Sequence, residues 1–550
     1  MSTTLHPITK LLLENRGITD PHTVKEFLEP DYELHRHDPF LLKDMEKAVS
    51  RVLSAIEKSE KIIIYTDYDC DGVPAGALLY DFFKKIGYEN FENYIPHRHE
   101  EGYGLNISAV EKFGSEGAKL LITADVGITD ALPVERANEL GIDVIITDHH
   151  LPNGNLPKAY AIIDPKQEND SYPYDGLCGA GVAFKLVEGL IKKGDFKIPN
   201  GWEKWLLDVA GLATIADSVP LTGENRVIAY YGLKVLQKSK RPGLKELCKL
   251  MRMRQREITE DDIAFMIAPR INAASRMSRP IEAFRLLTTC DPEEAEALAK
   301  HLHKINDERK GLMASIVKGA KKEIDAREEL RELIVIGNPH WKPALLGVVA
   351  NSLMESYERP VCVWGQDDAG LVKASCRAGG GVNLVEMMGE TREMFIDFGG
   401  HKYSCGFSLK TEHVHTLEDV LITSYKSVSF EHEKEDYVVD TELSLEDVNW
   451  DTYGAVAKLA PFGEGNPKPV FLFKDAEVTN VKLFGKTKNH LEVTFNRGNG
   501  KPVVAIAFFA TQESFKKKIE KGEKLDVVAS LERSTFRNFP ELRLRIQDIV

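Results

Sequence analysis

The chain has 550 residues, of which 43% are hydrophobic and 28% charged, with a net charge of −14. That composition excludes a collagen-like or wholly disordered chain, and the length suggests three or four domains. No run of 18 apolar residues is present, which excludes a helical membrane span. The segment MSTTLHPITKLLLENRG has no apolar core followed by a cleavage site, so no secretory leader is expected. The seven cysteines form no CxxC pair. Reduced thiols in a cytoplasmic protein are therefore expected, rather than a zinc site or a disulfide framework. With 71 basic against 85 acidic residues, the chain is no general polycation. Residues 470–550 nonetheless hold 15 Lys+Arg and 10 Asp+Glu, either a local phosphate-binding surface or a solvated face.

In chain order, the first 50 residues read as helices packed on the first domain. KIIIYTD (61–67), KLLITAD (119–125), DVIITD (143–148) and YAIID (160–164) are short β-branched runs separated by helical sequence, with Pro74 opening an apolar helix through Ile86. Strands alternating with helices predict an α/β domain with a mostly parallel sheet. Residues 202–300 are helical in pattern. A long helix begins at Asp291 as cap and Pro292 at its first position, and its apolar stripe runs through Leu298, Leu302, Ile305, Leu312, Ile316 and Ile324. Unbroken to Arg327, it would be about 55 Å long and would join two domains. A second, smaller α/β region follows from ELIVIGN (332–338), and a charged stretch (431–440) separates it from five or six β-like segments after Pro469. Those segments predict a small β-barrel of the OB type.

The chemistry gathers where apolar runs end. Asp67-Tyr-Asp69-Cys-Asp71, Asp125, Asp148-His149-His150 and Asp217 each close such a run. Ligands of open parallel sheets bind beyond the carboxyl ends of the strands, so these groups are expected to meet at one rim. A single aspartate after a strand commonly caps the next helix. Three carboxylates within five residues would repel one another unless cations neutralised them. The oxygen-rich set with imidazole suits Mn²⁺ or Mg²⁺, and its size suits two ions, the arrangement that cleaves phosphate esters by in-line displacement. Cys70, inside the acidic cluster, is rejected as a nucleophile because the surrounding charge raises its pKa.

DYDCDG (67–72), ADVGI (124–128), TDHH (147–150) and AD (216–217) resemble the motifs of the DHH phosphoesterase superfamily. EGYGLN (101–106), LCGAGVAFKL (177–186), APRINAASRM (268–277), INDER (305–309), FGGH (398–401) and PFGEGNPKPVF (461–471) resemble, in order, its RecJ family of bacterial single-strand-specific 5′→3′ exonucleases. Ser275 and the run HKYSCGFS depart from the family's usual forms. The resemblance implies a parallel-sheet DHH domain over 1–280, a connecting helix over 281–328, a DHH-associated substrate-binding domain over 329–430 and an OB nucleic-acid-binding domain over 431–550. It implies that Asp69, Asp71, Asp125, His149 and Asp217 hold two divalent ions, Mn²⁺ or Mg²⁺, with Asp125 between them. His150 then positions or protonates the phosphate, and Asp67 and Asp148 orient the ligands, although Asp148 also reads as a strand-end cap.

By the same resemblance Arg276, Ser375, Arg377, Gly399, Gly400 and His401 receive the strand's 5′ end. Arg98 is read either as a further contact or as half of a surface ion pair, and glycines 379–381 as a turn. In the barrel, Phe536 with Arg533 and Arg537 is expected to stack bases and hold phosphates. Phe484 and Phe539, beside Lys486 and Lys488, belong either to that surface or to the barrel core. The implied activity is 5′→3′ hydrolysis of single-stranded DNA to 5′-mononucleotides in repair and recombination. The implied partners are a single-strand-binding protein and a helicase, and a monomer away from membranes is expected. Two other readings remain open: a DHH phosphodiesterase of short RNA or cyclic dinucleotides, and a binding protein with an inactive core.

Overall fold

The computed structural model describes residues 5–98, 100–152, 154–367, 369–379, 381–428, 438–485, 488–498, 500–534 and 539–550. Five parallel strands form the first sheet: β1 (Lys61–Thr66), β2 (Phe91–Tyr94), β3 (Ala118–Ala124), β4 (Asp143–Thr147) and β5 (Ala161–Ile163). Their order is β2-β1-β3-β4-β5. Runs such as KIIIYT are buried on both faces, because helices cover the sheet from either side. The chain leaves β1 in one direction for β2 and returns past it to β3. The order of winding therefore reverses between β1 and β3, where such sheets open a crevice. The helix expected from Pro74 starts two residues earlier, at Gly72, with Asp71 at its cap position.

The helix Pro292–Asp325 has the expected cap, Asp291 Oδ1 accepting from Glu293 N at 2.9 Å. At 1.5 Å per residue its 34 residues span about 51 Å. The single stripe read from the sequence divides. Ala299, Leu302 and Ile305 join the first domain's core, whereas Ala320 and Ile324 join the second's. Leu312, between the two sets, is 41% exposed because neither core reaches it.

The second domain is a mixed sheet of β6 (Ile334–Gly337), β7 (Val361–Gln366), β8 (Val372–Arg377), β9 (Asp397–His401) and β10 (Ser404–Leu409), in the order β6-β7-β8-β10-β9. The last domain contains β11 (Thr441–Glu442), β12 (Phe471–Phe484), β13 (His490–Phe495), β14 (Val503–Ala507), β15 (Lys524–Ser534) and β16 (Glu541–Ile549). β12 pairs with both β13 and β15, and β14 and β15 both pair with β16, which closes the barrel. Two segments read separately from the sequence are one bent strand, β12, whose register shifts between Phe473 and Ala476.

The expectation that the first 50 residues pack on the first domain holds for Tyr32, Leu42, Met45, Ala48 and Val49, which lie in that domain's core, and fails for the first two helices. Pro7–Asn15 and Pro21–Leu28 do not pack in the first domain's core; Leu12, Leu13 and Phe27 are buried in the barrel's. Burying each such side chain contributes roughly 1.5–3 kcal/mol. Arg226 of the first domain joins the three parts, donating to the carbonyls of Phe27 (2.7 Å), Leu459 (3.0 Å) and Ala460 (3.1 Å). No helix of the described residues is long and apolar enough to cross a membrane.

Candidate metal centre and strand-binding face

Each strand from β1 to β5 except β2 is followed directly by an aspartate: Asp67, Asp125, Asp148 and Asp164. Their own amides extend the sheet. Asp67 N donates to Ala124 O (3.2 Å), Asp125 N to Thr147 O (2.9 Å) and Asp148 N to Ile163 O (3.1 Å). The backbone of each is thus fixed by the next strand, and the side chains leave one edge together. Asp125 has a φ of 66°, a left-handed conformation that is costly for a residue with a Cβ and is held here by the sheet.

Asp71 is held from across the crevice. Its Oδ2 accepts from Gly179 N at 2.6 Å and its Oδ1 from Ala180 N at 2.8 Å, the amides opening the helix Gly179–Lys193. That helix comes so close that a Cβ on Gly179 would stand 2.4 Å from the Asp125 Cβ. Asp69 Oδ1 caps the neighbouring turn, accepting from Asp71 N at 2.7 Å. Asp217 arrives from the end of the helix Leu207–Ala216, a helix where the other motifs end strands.

His149 Nε2 lies 3.2 Å from Asp125 Oδ1, 3.6 Å from Asp71 Oδ2 and 3.7 Å from Asp217 Oδ2. Three groups of donor atoms, each within 4.8 Å of one another, overlap here: Asp67, Asp69 and Asp125; Asp71, His149 and Asp217; and Asp125, His149 and His150. All five expected ion ligands are thus brought together, and Asp125 and His149 each occur in two groups. Asp67, expected behind the ligands, stands among them, with its Oδ1 buried and without a hydrogen bond. Asp148 stays behind. Its Oδ1 lies 2.7 Å from His150 Nδ1 and accepts the His149 amide at 2.7 Å, and its Oδ2 accepts from Ile128 N at 2.9 Å.

The electrostatics show what this cluster suits. Burial, then the Asp69 charge, pushes Asp67 well above the carboxylate range and Asp71 up to about 6. Burial, then Asp71, does the same to Asp125, and Asp217 rises to about 9 through burial, Asp71 and Asp69. Burial and the His150 charge pull His149 down to about 3, keeping its imidazole neutral as a metal ligand requires. Burial is the largest single influence on Asp148 and His150 and opposes ionisation of both, but their mutual hydrogen bond and the neighbouring charges together outweigh it, so Asp148 falls and His150 rises to about 9. Carboxylates that repel one another beside a neutral imidazole and an unbonded buried oxygen fit divalent cations. Cys70 is buried and its thiol is pushed up, first by burial and then by Asp69.

The expected strand-binding residues divide by location. Arg98 has its guanidinium 4.9 Å from the Tyr68 ring centroid, and Arg276 donates to Ala344 O at 3.2 Å, bridging to the second domain. Burial, then Arg98 and Arg309, lowers Arg276 to about 10. In the second sheet, Gly406 of β10 pairs with Ser375 on one side and Gly399 on the other, while Ser404 pairs with Arg377 and His401. Successive residues alternate faces, so Ser375, Arg377 and Gly399 share rows on one face. Gly400 falls in the intervening row with Cys405, at a φ of 150°, where a Cβ would strike Ser404 O at 2.2 Å. A Cβ at Gly399 would meet nothing within 4 Å.

In the barrel, Arg533 donates to Glu257 of the first domain at 2.8 Å. Phe536 and Arg537, like Lys486, lie outside the described residues. Phe539 is 76% exposed, and Phe484 packs against His490 and Phe508. Sequence reasoning missed Phe508, under the Arg545 guanidinium at 4.1 Å, and the exposed Phe509. It also missed Asp164, buried and raised to about 7 by burial, although YAIID shows the same strand-then-aspartate signal. Gly179, inside the quoted LCGAGVAFKL, and Gly347, where a Cβ would stand 2.8 Å from Arg377 Nη2, had no signal of their own. The motif PFGEGNPKPVF proves to be a docking segment: Glu464 O accepts from Leu221 N at 2.7 Å, four residues beyond Asp217.

Residues 61–214 match the DHH family N-terminal domain, 331–426 the DHHA1 domain and 439–548 the RecJ OB domain. The chain is 35% identical over 547 residues to the single-stranded-DNA-specific exonuclease RecJ of Bacillus subtilis, an alignment covering 98% of this chain and 68% of that protein. Against the Haemophilus influenzae RecJ exonuclease it is 31% identical over 527 residues, covering 92% and 89%. Among solved structures, RecJ of Thermus thermophilus in complex with Mn²⁺ superposes with a TM-score of 0.82 at 26% identity, over 99% of this chain and 76% of that one. An exonuclease RecJ bound to manganese gives 0.61 at 30% identity, over 70% and 95%.

Proposed function

The chain belongs to the RecJ family of single-stranded-DNA-specific exonucleases, and from that premise we propose that it hydrolyses single-stranded DNA from the 5′ end to 5′-mononucleotides at two divalent cations. The observation that carries this reading is the overlap of three donor groups on Asp125 and His149 at the carboxyl edge of the parallel sheet.

In this reading Asp69, Asp71, Asp125, His149 and Asp217 hold the two ions, joined by Asp67. Bound Mn²⁺ or Mg²⁺ supplies Lewis acidity, which makes hydroxide available near neutrality and offsets charge growing on the phosphate. Asp148 fixes the His150 ring through Nδ1, which aims Nε2 at the reacting phosphate to position it. Gly179 and Ala180 hold Asp71 through their amides, and the burial of Asp67 and Asp125 limits water to the reacting side. Ser375 and Arg377, with the bare backbone at Gly399, receive the terminal phosphate, Arg offering a fork of donors. Arg276, which donates to Ala344 O, and Arg98, over the Tyr68 ring, contact the strand near its 5′ end in this reading. Phe536, Arg533, Arg537, Phe508 and Phe509 form the barrel's contact with the strand beyond. The protein acts as a cytoplasmic monomer in repair and recombination, where a helicase supplies single strands and a single-strand-binding protein presents them.

The test is to incubate the purified chain with Mn²⁺ and strands labelled at the 5′ or the 3′ end, alongside a duplex, a short RNA and a cyclic dinucleotide. Immediate release of mononucleotide from the 5′ label, abolished by a chelator, is expected. Cleavage of the cyclic dinucleotide alone, or strand binding without hydrolysis, would refute the proposal.

A further inference from the structure

Residues 231–260 hold nine Lys+Arg and three Asp+Glu, a balance of +6 in thirty residues of a chain whose total is −14. The helices Gly223–Leu236 and Pro242–Leu250, the loop between them and the turn Gln255–Glu257 bring five of these nine cations to the rim of one cavity of about 890 Å³. Lys238, Lys240, Lys245, Arg254 and Arg256 line it, with Glu257 as the one carboxylate. All five cations are exposed. Lys238, Lys240, Lys245 and Arg256 form no ion pair among the described residues. Arg241, in the same stretch, shows the alternative: it is paired with Asp208 at 2.9 Å and Asp81 at 2.6 Å and serves the fold. Unpaired cations around a concavity raise one another's electrostatic energy, and an anion relieves it.

Two neighbours indicate which anion. Glu257 Oε2 also accepts from Arg533 of β15 at 2.8 Å, so the cavity lies beside the barrel. On its other side it shares Lys238 with a second cavity of about 570 Å³, whose lining includes Trp205, Tyr231 and Lys234 and also Asp31 and Glu33, the latter paired with Lys204 at 2.6 Å. Trp205 is 50% exposed. Cations in series next to a half-exposed indole suit a polymer with both backbone charges and unstacked bases. An acidic peptide would use the cations alone.

We propose that this trough, from Arg256 past Lys245, Lys240 and Lys238 to Trp205, is a second contact for single-stranded nucleic acid, gripping the phosphodiester backbone of strand beyond the barrel. The proposal rests on the nuclease reading and deepens it, giving the enzyme a hold on strand remote from the ions.

The variant K238Q/K240Q/K245Q/R256Q changes exposed side chains only. Its affinity for a strand several times longer than the roughly 4–16 nucleotides one OB domain covers is measured by fluorescence anisotropy without divalent ions, at several salt concentrations. Affinity is expected to fall on the order of tenfold or more. The slope of log affinity against log salt should become shallower by up to about 3, at about 0.7 per lost phosphate contact. Trp205→Ala should lower affinity about fivefold or more and leave the salt slope unchanged. Hydrolysis of a strand of about four nucleotides with Mn²⁺, the smallest barrel footprint, reports on the centre and should be unaffected in both.

Wild-type affinity and slope in the quadruple variant would overturn the proposal. So would equal losses on long and short strands, which would place the effect at the centre. Retained strand binding with loss of a Glu-rich peptide would assign the surface to an acidic polypeptide and overturn it as well. A wild-type protein that binds the long strand and hydrolyses neither would refute the nuclease reading, while the loss of long-strand binding in the variants would still decide the trough.

Discussion

The first and second domains build their parts of the site by opposite routes. The metal centre collects Asp67, Asp125, Asp148 and Asp217 from segments up to 150 residues apart, each set by the end of a strand or helix with a core on both sides. The second domain draws Ser375, Arg377 and Gly399 from two strands in register with β10 between them. Ions demand several ligands converging on a point, and a buried parallel edge supplies convergence. A terminal phosphate demands donors spread over a face, and an antiparallel sheet supplies rows. Damage to the first should therefore abolish chemistry, and damage to the second should weaken capture.

Asp125→Ala tests the larger side. It removes the carboxylate shared by two donor groups, and kcat should fall at least on the order of 10²–10³-fold while strand affinity stays near wild type. Because burial and Asp71 disfavour its charge in the metal-free protein, the variant's metal-free melting temperature should not drop. Substantial residual turnover would break the contrast between the domains. Gly179→Ala probes the same centre without replacing a ligand. The new methyl would press on Asp125, and Mn²⁺ affinity by calorimetry should fall about 10–100-fold, with part of the activity recovered at saturating Mn²⁺. Unchanged affinity would show that the helix can yield. Arg377→Ala should produce the smallest change, a KM about tenfold higher for a 5′-phosphorylated strand with kcat little altered and no such rise for a 5′-hydroxyl strand. A collapse of kcat instead would place Arg377 with the chemistry.

The centre was legible in the sequence because three of its aspartates end β-branched runs, a pattern that fixes both the element and the edge. Asp164 follows the same rule and was passed over because no motif surrounds it. Gly179 was illegible in its role, since closeness between a helix and Asp125 is a property of packing. The N-terminal helices were legible as helices but not in their docking. Their apolar positions show that a core exists and not that the core belongs to residues more than 400 positions away, as the hydrogen bond from Thr9 Oγ1 to Ala455 O shows. The stripe on the long helix was legible as apolar, while its division at Leu312 depends on two cores that the stripe alone does not reveal.

That division makes Pro292–Asp325 a gauge between chemistry and capture. Each half is clamped by a different core, so the gap between ions and phosphate face is counted in helical residues. One inserted alanine near Leu312 would turn the second domain by about 100° and advance it about 1.5 Å. A deletion would do the reverse. Length at this point is therefore as much a determinant of cutting register as any charged side chain.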